Sequence, residues 1–305
     1  MKRELPDELK FLTNRKAPQK PFDEPMDGKL CVITGATSGV GLEAARSLAS
    51  HGAQLVLIVR SASKAEQVKT EIQAKWGVQV DLIIADFCDL DQIRHAAETL
   101  LANYPRIDVL INCAGLHSTT RKLTAAGHET VFAVNHLASF LLTSLLLDRM
   151  KASSPSRIIQ INSEGHRFSG VHPEDLNWEK HHYTGLKSYG ASKTAQLLTV
   201  WEFADLLRGS GVTINAAHPG DVKTNIGNNN GWLYRTFTRY VTGLMLGDVA
   251  ISGQAIGYLA SAPELSEVSG LFFHLTNEEK PAAHALDREM GKRIWTISRE
   301  LTGLA

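Results

Sequence analysis

Tyr189 and Lys193 stand four residues apart in SYGASK (188–193). The apolar pattern around them predicts a helix over about 188–208, which puts both side chains on one face. A phenol titrates near about 10, too high for a base at neutral pH. An ammonium beside it favours the phenolate, and the pair can then exchange a proton with a substrate oxygen. A second group lies far upstream, in Thr34-Gly35-Ala36-Thr37-Ser38-Gly39-Val40-Gly41, between an apolar run and a helix. Glycines let the backbone approach a phosphate, and a helix start supplies free N–H groups and a positive dipole end. A third sign is Ile58-Val59-Arg60-Ser61. An NAD site needs a carboxylate about 20 residues past the glycines. Here that place holds Arg60, which can fork onto a 2′-phosphate with Ser61 and Lys64 to help, so the cofactor expected is NADP(H). Plainer readings stay beside these: a surface Tyr and Lys, a tight structural turn, a solvated strand-end arginine.

The elements that must hold these residues alternate regularly. Apolar runs at 30–34, 54–59, 78–85, 108–112, 157–162, 212–217 and 270–275 alternate with helical patterns near 40–50, 64–75, 91–103, 129–150, 188–208 and 281–301. Strands apolar throughout call for a sheet covered on both faces. The fold class expected is α/β: a single doubly wound Rossmann domain with a seven-stranded parallel sheet. Residues 1–27, with four prolines and dense charge, read as an N-terminal extension, a short helix near Glu4–Thr13 and then a strap; residues 28–305 read as the domain. Within 225–247, Leu233, Phe237, Tyr240, Val241 and Leu244 recur at helical spacing with Arg235 and Arg239 opposite. That segment reads as a substrate lid, with core packing or contact with a membrane surface as the alternatives. The helices near 129–150 and 188–208 are apolar almost all round, so a homodimer would bury them.

The motifs resemble, in order, those of the short-chain dehydrogenase/reductase family, and most of all its retinol-dehydrogenase-like branch. T-G-x3-G-x-G at 34–41, Asn112-Cys113-Ala114-Gly115, Y-x3-K at 189–193 and Pro219-Gly220 with Thr224 carry the family resemblance, and RIIQINSEGHR (157–167), TINAAHPGDVKT (213–224) and the long Ser163-to-Tyr189 gap that of the branch. It implies Tyr189 as general acid/base and Lys193 as the residue that lowers the Tyr189 pKa and holds the nicotinamide ribose. Ser163 would bind the substrate carbonyl, and Asn135 would keep a water in a proton relay. The usual Ser-Ser is Asn162-Ser163 here, with the catalytic position intact. Gly35, Thr37, Ser38, Gly39, Val40 and Gly41 would line the phosphates. Asp86, with its neighbour Phe87, would stand on the adenine side, Asp86 having a helix cap as its plainer reading. Asn112 would tie neighbouring strands beside Ala114 and Gly115; Pro219, Gly220, Val222 and Thr224 would complete the cofactor set.

Composition narrows the rest. With 32 Lys+Arg against 32 Asp+Glu in 305 residues, no basic surplus favours nucleic acid. Cys31, Cys88 and Cys113 are too few and scattered for a disulfide framework, and each reads as an inert thiol. His181-His182 lacks any metal-motif context, so no metal is expected. The run 137–147 is too short to span a bilayer, and the charged N-terminus is not a secretory signal, so the expected setting is reducing and cytoplasmic. The expected function is an NADP(H)-dependent oxidoreductase moving a hydride between nicotinamide and an apolar carbonyl or alcohol. The alternatives are a non-catalytic NADP-sensing protein and an extended-type enzyme on nucleotide sugars. Keeping Asn135, Ser163, Tyr189 and Lys193 argues against the first; the lack of a large C-terminal substrate domain argues against the second.

Overall fold

The computed structural model describes residues 17–220 and 248–304. Its strands are β1 (Leu30–Thr34), β2 (Gln54–Val59), β3 (Val80–Ile84), β4 (Val109–Asn112), β5 (Ser156–Ile161), β6 (Val212–His218), β7 (Phe272–His274) and β8 (Asn277–Glu278). They form one sheet in the order β3-β2-β1-β4-β5-β6-β7-β8. The first seven are parallel, as expected; β8 adds an antiparallel edge, pairing Phe273 with Glu278 and His274 with Asn277. Two polar residues make no periodic signal, so the sequence gives no warning of this strand. The strand order reverses at β1 and β4, and in open parallel sheets ligands bind at the strand ends beside such a switch.

Successive residues of a strand face opposite sides, which builds two cores. Ile33, Leu55 and Leu57 pack on one face; Val32, Val56 and Ile58 pack on the other. The covering helices are α1 (Gly39–Ser50), α2 (Ala62–Trp76), α3 (Leu90–Asn103), α4 (Thr130–Ala152), α5 (Gly185–Leu206), α6 (Ala250–Ser261) and α7 (Arg288–Leu301). A π-turn, Ala133–Leu137, interrupts α4 near its start. Sequence reading missed α6, whose small residues give no clear apolar stripe. Gly253 and Gly257 explain its composition: a Cβ at either would lie 2.5 Å from the Glu43 carbonyl or 2.1 Å from the Phe22 ring.

Phe22 belongs to the segment read as an extension. It is 4% exposed in the first core, as is Met26 at 2%, and its ring stacks on His51 at 3.8 Å. Residues 17–27 are therefore packed into the domain rather than appended to it. The helix expected near Glu4–Thr13 and the lid expected at 225–247 lie outside the described residues.

Among the described residues α4 is the one helix long and apolar enough to cross a membrane, at 23 residues and mean hydropathy 1.7. Most of it is buried inside the domain, so its apolarity is spent on the core. The all-round apolarity of α4 and α5 has a similar origin. Trp295 of α7 packs edge-on against Phe140 of α4 and Phe203 of α5, at 5.1 and 4.7 Å. His136 of α4 meets the Ser298 hydroxyl of α7 at 2.7 Å. The chain thus covers with its own C-terminal helix the faces from which a second subunit was argued.

Candidate active site

The chain leaves β5 through Asn162 and Ser163 into a 3-10 turn, Glu164–Phe168, and the Ser163 hydroxyl accepts from the Gly165 N–H at 3.0 Å. Gly165 is required there: a Cβ would lie 2.7 Å from the Tyr189 ring and 3.3 Å from Ser163 Oγ. Its missing side chain is what lets the Tyr189 ring of α5 come up to the hydroxyl at the end of β5. Burial pushes the Tyr189 phenol up to about 12, while the nearby Ser163 hydroxyl pulls the other way. At neutral pH this group is a proton donor.

Lys193 is 3% exposed. Its ammonium donates to the Ile161 carbonyl at 2.9 Å and to Gln196 Oε1 at 3.0 Å, and lies 5.7 Å from the centre of the Tyr189 ring. Burial pushes it down to about 8, with the nearby Cys113 working in the opposite direction. Burial, not Lys193, dominates the Tyr189 shift, and the ammonium is held on carbonyl oxygens rather than on the hydroxyl. Asn135 sits in the π-turn of α4, a feature common at functional sites. Its amide brackets Leu116, accepting from the N–H at 2.8 Å and donating to the carbonyl at 3.1 Å, and donates to Ser192 Oγ at 2.9 Å. Asn135 therefore clips the loop after β4 to the helix bearing Tyr189.

The glycine turn lies next to that loop. Gly35 has φ +73°, and a Cβ on it would lie 2.8 Å from Ala114 Cα. The Thr34 hydroxyl accepts from the N–H groups of Cys113 and Ala114, both at 2.9 Å, fastening β1 to the same loop. Helix α1 starts at Gly39 with Ser38 at its N-cap, extended and making no side-chain cap bond, and Thr37 and Val40 flank it. Arg60 is exposed at the end of β2, with Ser61 at the N-cap position of α2, making no side-chain cap bond, and Lys64 exposed in its first turn. Asp86 accepts from the Cys88 N–H at 3.0 Å; Asp89, not Asp86, caps α3. Asn112 donates to Thr143 Oγ1 of α4 at 2.8 Å, bracing a helix, and the Phe87 side chain is in the second core. The Pro219 carbonyl accepts from Ser252 Oγ at 2.5 Å, and Gly220 packs on Leu275. Val222 and Thr224 lie outside the described residues.

Residues 29–231 match the family described as short chain dehydrogenase. The chain is a member of the short-chain dehydrogenase family. It is 37% identical to human (Homo sapiens) retinol dehydrogenase 13 over 289 residues, covering 93% of this chain and 87% of that protein. Against human retinol dehydrogenase 14 the identity is 35% over 295 residues, covering 92% and 88%. A crystal structure of an uncharacterised protein from Mycobacterium paratuberculosis is 29% identical with TM-score 0.75, covering 94% of this chain and 98% of that one. This short-chain dehydrogenase is thus an oxidoreductase of the retinol-dehydrogenase-like branch, and its family uses a nicotinamide cofactor.

The structure adds residues to this dehydrogenase's site that sequence reading missed. His117 is buried beside Tyr189, their ring centres 5.7 Å apart, and burial lowers its pKa. It lies in a loop, where no spacing rule reaches it. Gln196 follows Lys193 by one helical turn, a spacing that marks a shared face. Glu129, wholly buried, caps the start of α4 through the N–H groups of Val131 and Phe132 and accepts from Ser188 of α5. Beyond Ser163, Arg167 pairs with Glu164 at 2.5 Å and Glu279 at 2.7 Å, and His274 stands 3.4 Å from Glu279. His181 meets the Asp175 carboxylate at 2.7 Å and stacks on His172. With Glu174 these two histidines form a surface group whose donor atoms lie within 4.8 Å of one another.

Proposed function

We propose that this dehydrogenase is NADP(H)-dependent and moves a hydride between the nicotinamide and an apolar carbonyl or alcohol. One observation carries the reading: Tyr189 and Ser163 meet over Gly165, beside the buried Lys193 and next to the glycine turn. The close approach of Gly35 to Ala114, and a helix start without a side-chain cap, suit a dinucleotide's phosphates. Arg60, Ser61 and Lys64 would take a 2′-phosphate, Asp86 would stand near the adenine, and Ala114 and Gly115 would border the ribose. The cofactor supplies or accepts the hydride when bound.

The rest of the chemistry belongs to the chain. Ser163 orients the substrate oxygen, and Tyr189 gives that oxygen a proton during reduction. A phenol pushed up to about 12 favours the donor role at neutral pH. Lys193 holds positive charge beside the ring, stabilising the negative charge that develops on the Tyr189 oxygen as its proton leaves. Asn135 holds the loop after β4 in place.

Two exposed side chains support an apolar substrate. Phe168 ends the turn that Ser163 begins, and Leu186 precedes Tyr189 by one turn of α5; they are 57% and 52% exposed. The relatives are named for retinol, an apolar alcohol. NADPH oxidation measured over aldehydes of increasing alkyl length tests the reading, with kcat/KM expected to climb with length. Turnover confined to small polar compounds such as sugars, or no turnover at all, overturns it.

A further inference from the structure

Gln196 stands at the centre of the buried polar network of the site, and none of the motifs includes it. It is 2% exposed. Its Oε1 accepts from the Lys193 ammonium at 3.0 Å and from Asn162 Nδ2 at 3.1 Å. Its Nε2 donates to the main-chain carbonyl of Asn135 at 2.5 Å. One side-chain amide thus joins the end of β5, the π-turn of α4 and the lysine of α5. The Asn135 carbonyl also accepts from Ser139 Oγ at 3.0 Å. That carbonyl is therefore engaged by two protein donors, and the Asn135 side-chain amide is engaged by Leu116 and Ser192.

We propose that Gln196 is a positioning residue that fixes the Lys193 ammonium between the end of β5 and the π-turn of α4. Gln196 also sets the charge state of Lys193, because an acceptor on an ammonium stabilises its charged form. The titratable side chains that face Lys193 among the described residues are Tyr189 on its own helix and Cys113 from the loop after β4. Burial pushes the Cys113 thiol up to about 12, so it stays neutral throughout.

The kinetic side of this inference rests on the function proposed above; the titration side does not. Lysine labelled with carbon-13 at Cε, with the Lys193 resonance assigned through Lys193→Arg, reports its pKa without substrate. Gln196→Leu removes the acceptor and should lower the Lys193 pKa by about one unit, the size of a bond to a charged group. Gln196→Glu places a carboxylate against the ammonium and should raise it by a similar amount. In turnover, the alkaline limb of kcat/KM should move in the same opposite directions, with kcat about tenfold lower in Gln196→Leu. A merely structural role lowers Tm in both variants and moves neither the titration nor the limb. If Lys193 titrates alike in the parent and both variants, the proposal is overturned. If Lys193 shifts as stated while the parent reduces no carbonyl, the proposed function fails and the assignment of Gln196 stands. If Gln196→Leu does not fold, Gln196→Glu decides alone: it keeps the shape and the acceptor facing Lys193, adds a negative charge there and gives up the donor to the Asn135 carbonyl.

Discussion

At Tyr189 the chemistry and the packing pull in opposite directions. The ring is enclosed enough to hold its proton, yet the reaction requires it to part with one, and Ser163 is the group that eases the transfer. Tyr189→Phe keeps the ring over Gly165 and removes only the hydroxyl. Its kcat should fall by about 10²–10⁴, with the NADPH dissociation constant changed less than threefold in a fluorescence titration. Near-parental turnover would place the proton donor elsewhere. Arg60→Ala tests the cofactor at the same scale: the kcat/KM preference for NADPH over NADH should collapse by about tenfold or more, as for a lost charged contact. An unchanged ratio removes Arg60 from the 2′-phosphate. Much of the site was legible as residue types at fixed spacings, and Tyr189, Lys193, Ser163 and the glycine turn come together as expected. What stayed hidden was orientation. The direction of the Asn112 amide, the burial of Phe87 and the grip of Gln196 on Asn135 depend on side-chain partners 30 to 60 residues away, which no local pattern encodes.

The 3-10 turn after β5 shows how an element can carry two roles. Its first half seats Tyr189 against Ser163, and its second half anchors an ionic cluster under β7 and β8. Burial first, and then the charge of Glu279, push Glu164 up to about 7, with Arg167 opposing both. A carboxylate raised in the fold binds its proton more tightly there than in the unfolded chain. The stability it contributes is full below the ordinary carboxylate range and is lost as pH rises through about 7. Arg167→Met removes the cation that bridges Glu164 and Glu279 and should cost about 3–5 kcal/mol near pH 8. The loss should shrink toward pH 5.5, where Glu164 can take a proton. Urea unfolding of both proteins at the two pH values measures this, and a pH-independent difference would show that Arg167 acts by packing alone. β8 and this cluster escaped sequence reading together, because Glu164 and Glu279 are 115 residues apart and only the edge hairpin brings them into contact.

On the scale of the molecule, strand number apart from β8, parallel direction and helix cover were readable from seven apolar runs, because each run must be buried on both faces. The partner of α4 and α5 was not readable. Apolar surface says that something covers it, and here α7 does so from within the chain. Size-exclusion chromatography with light scattering should therefore give a monomer, and Ile294→Ala, wholly buried in α7, should destabilise by about 2–5 kcal/mol. Ending the chain at residue 287 should expose Phe140 and Phe203 and drive self-association. A truncated chain that stays monomeric and stable would show that α7 is not the cover. The strap around Phe22 has a bearing on timing. The Lys20 N–H bonds to Thr276, 256 residues later, and its ammonium reaches Tyr258. At ribosomal speeds of about 5–20 residues per second, those partners emerge roughly 10–50 s after the strap does. The first described part of the chain to be made is thus among the last to settle, and for that interval the Phe22 and Met26 side chains are open to chaperones and to other nascent chains.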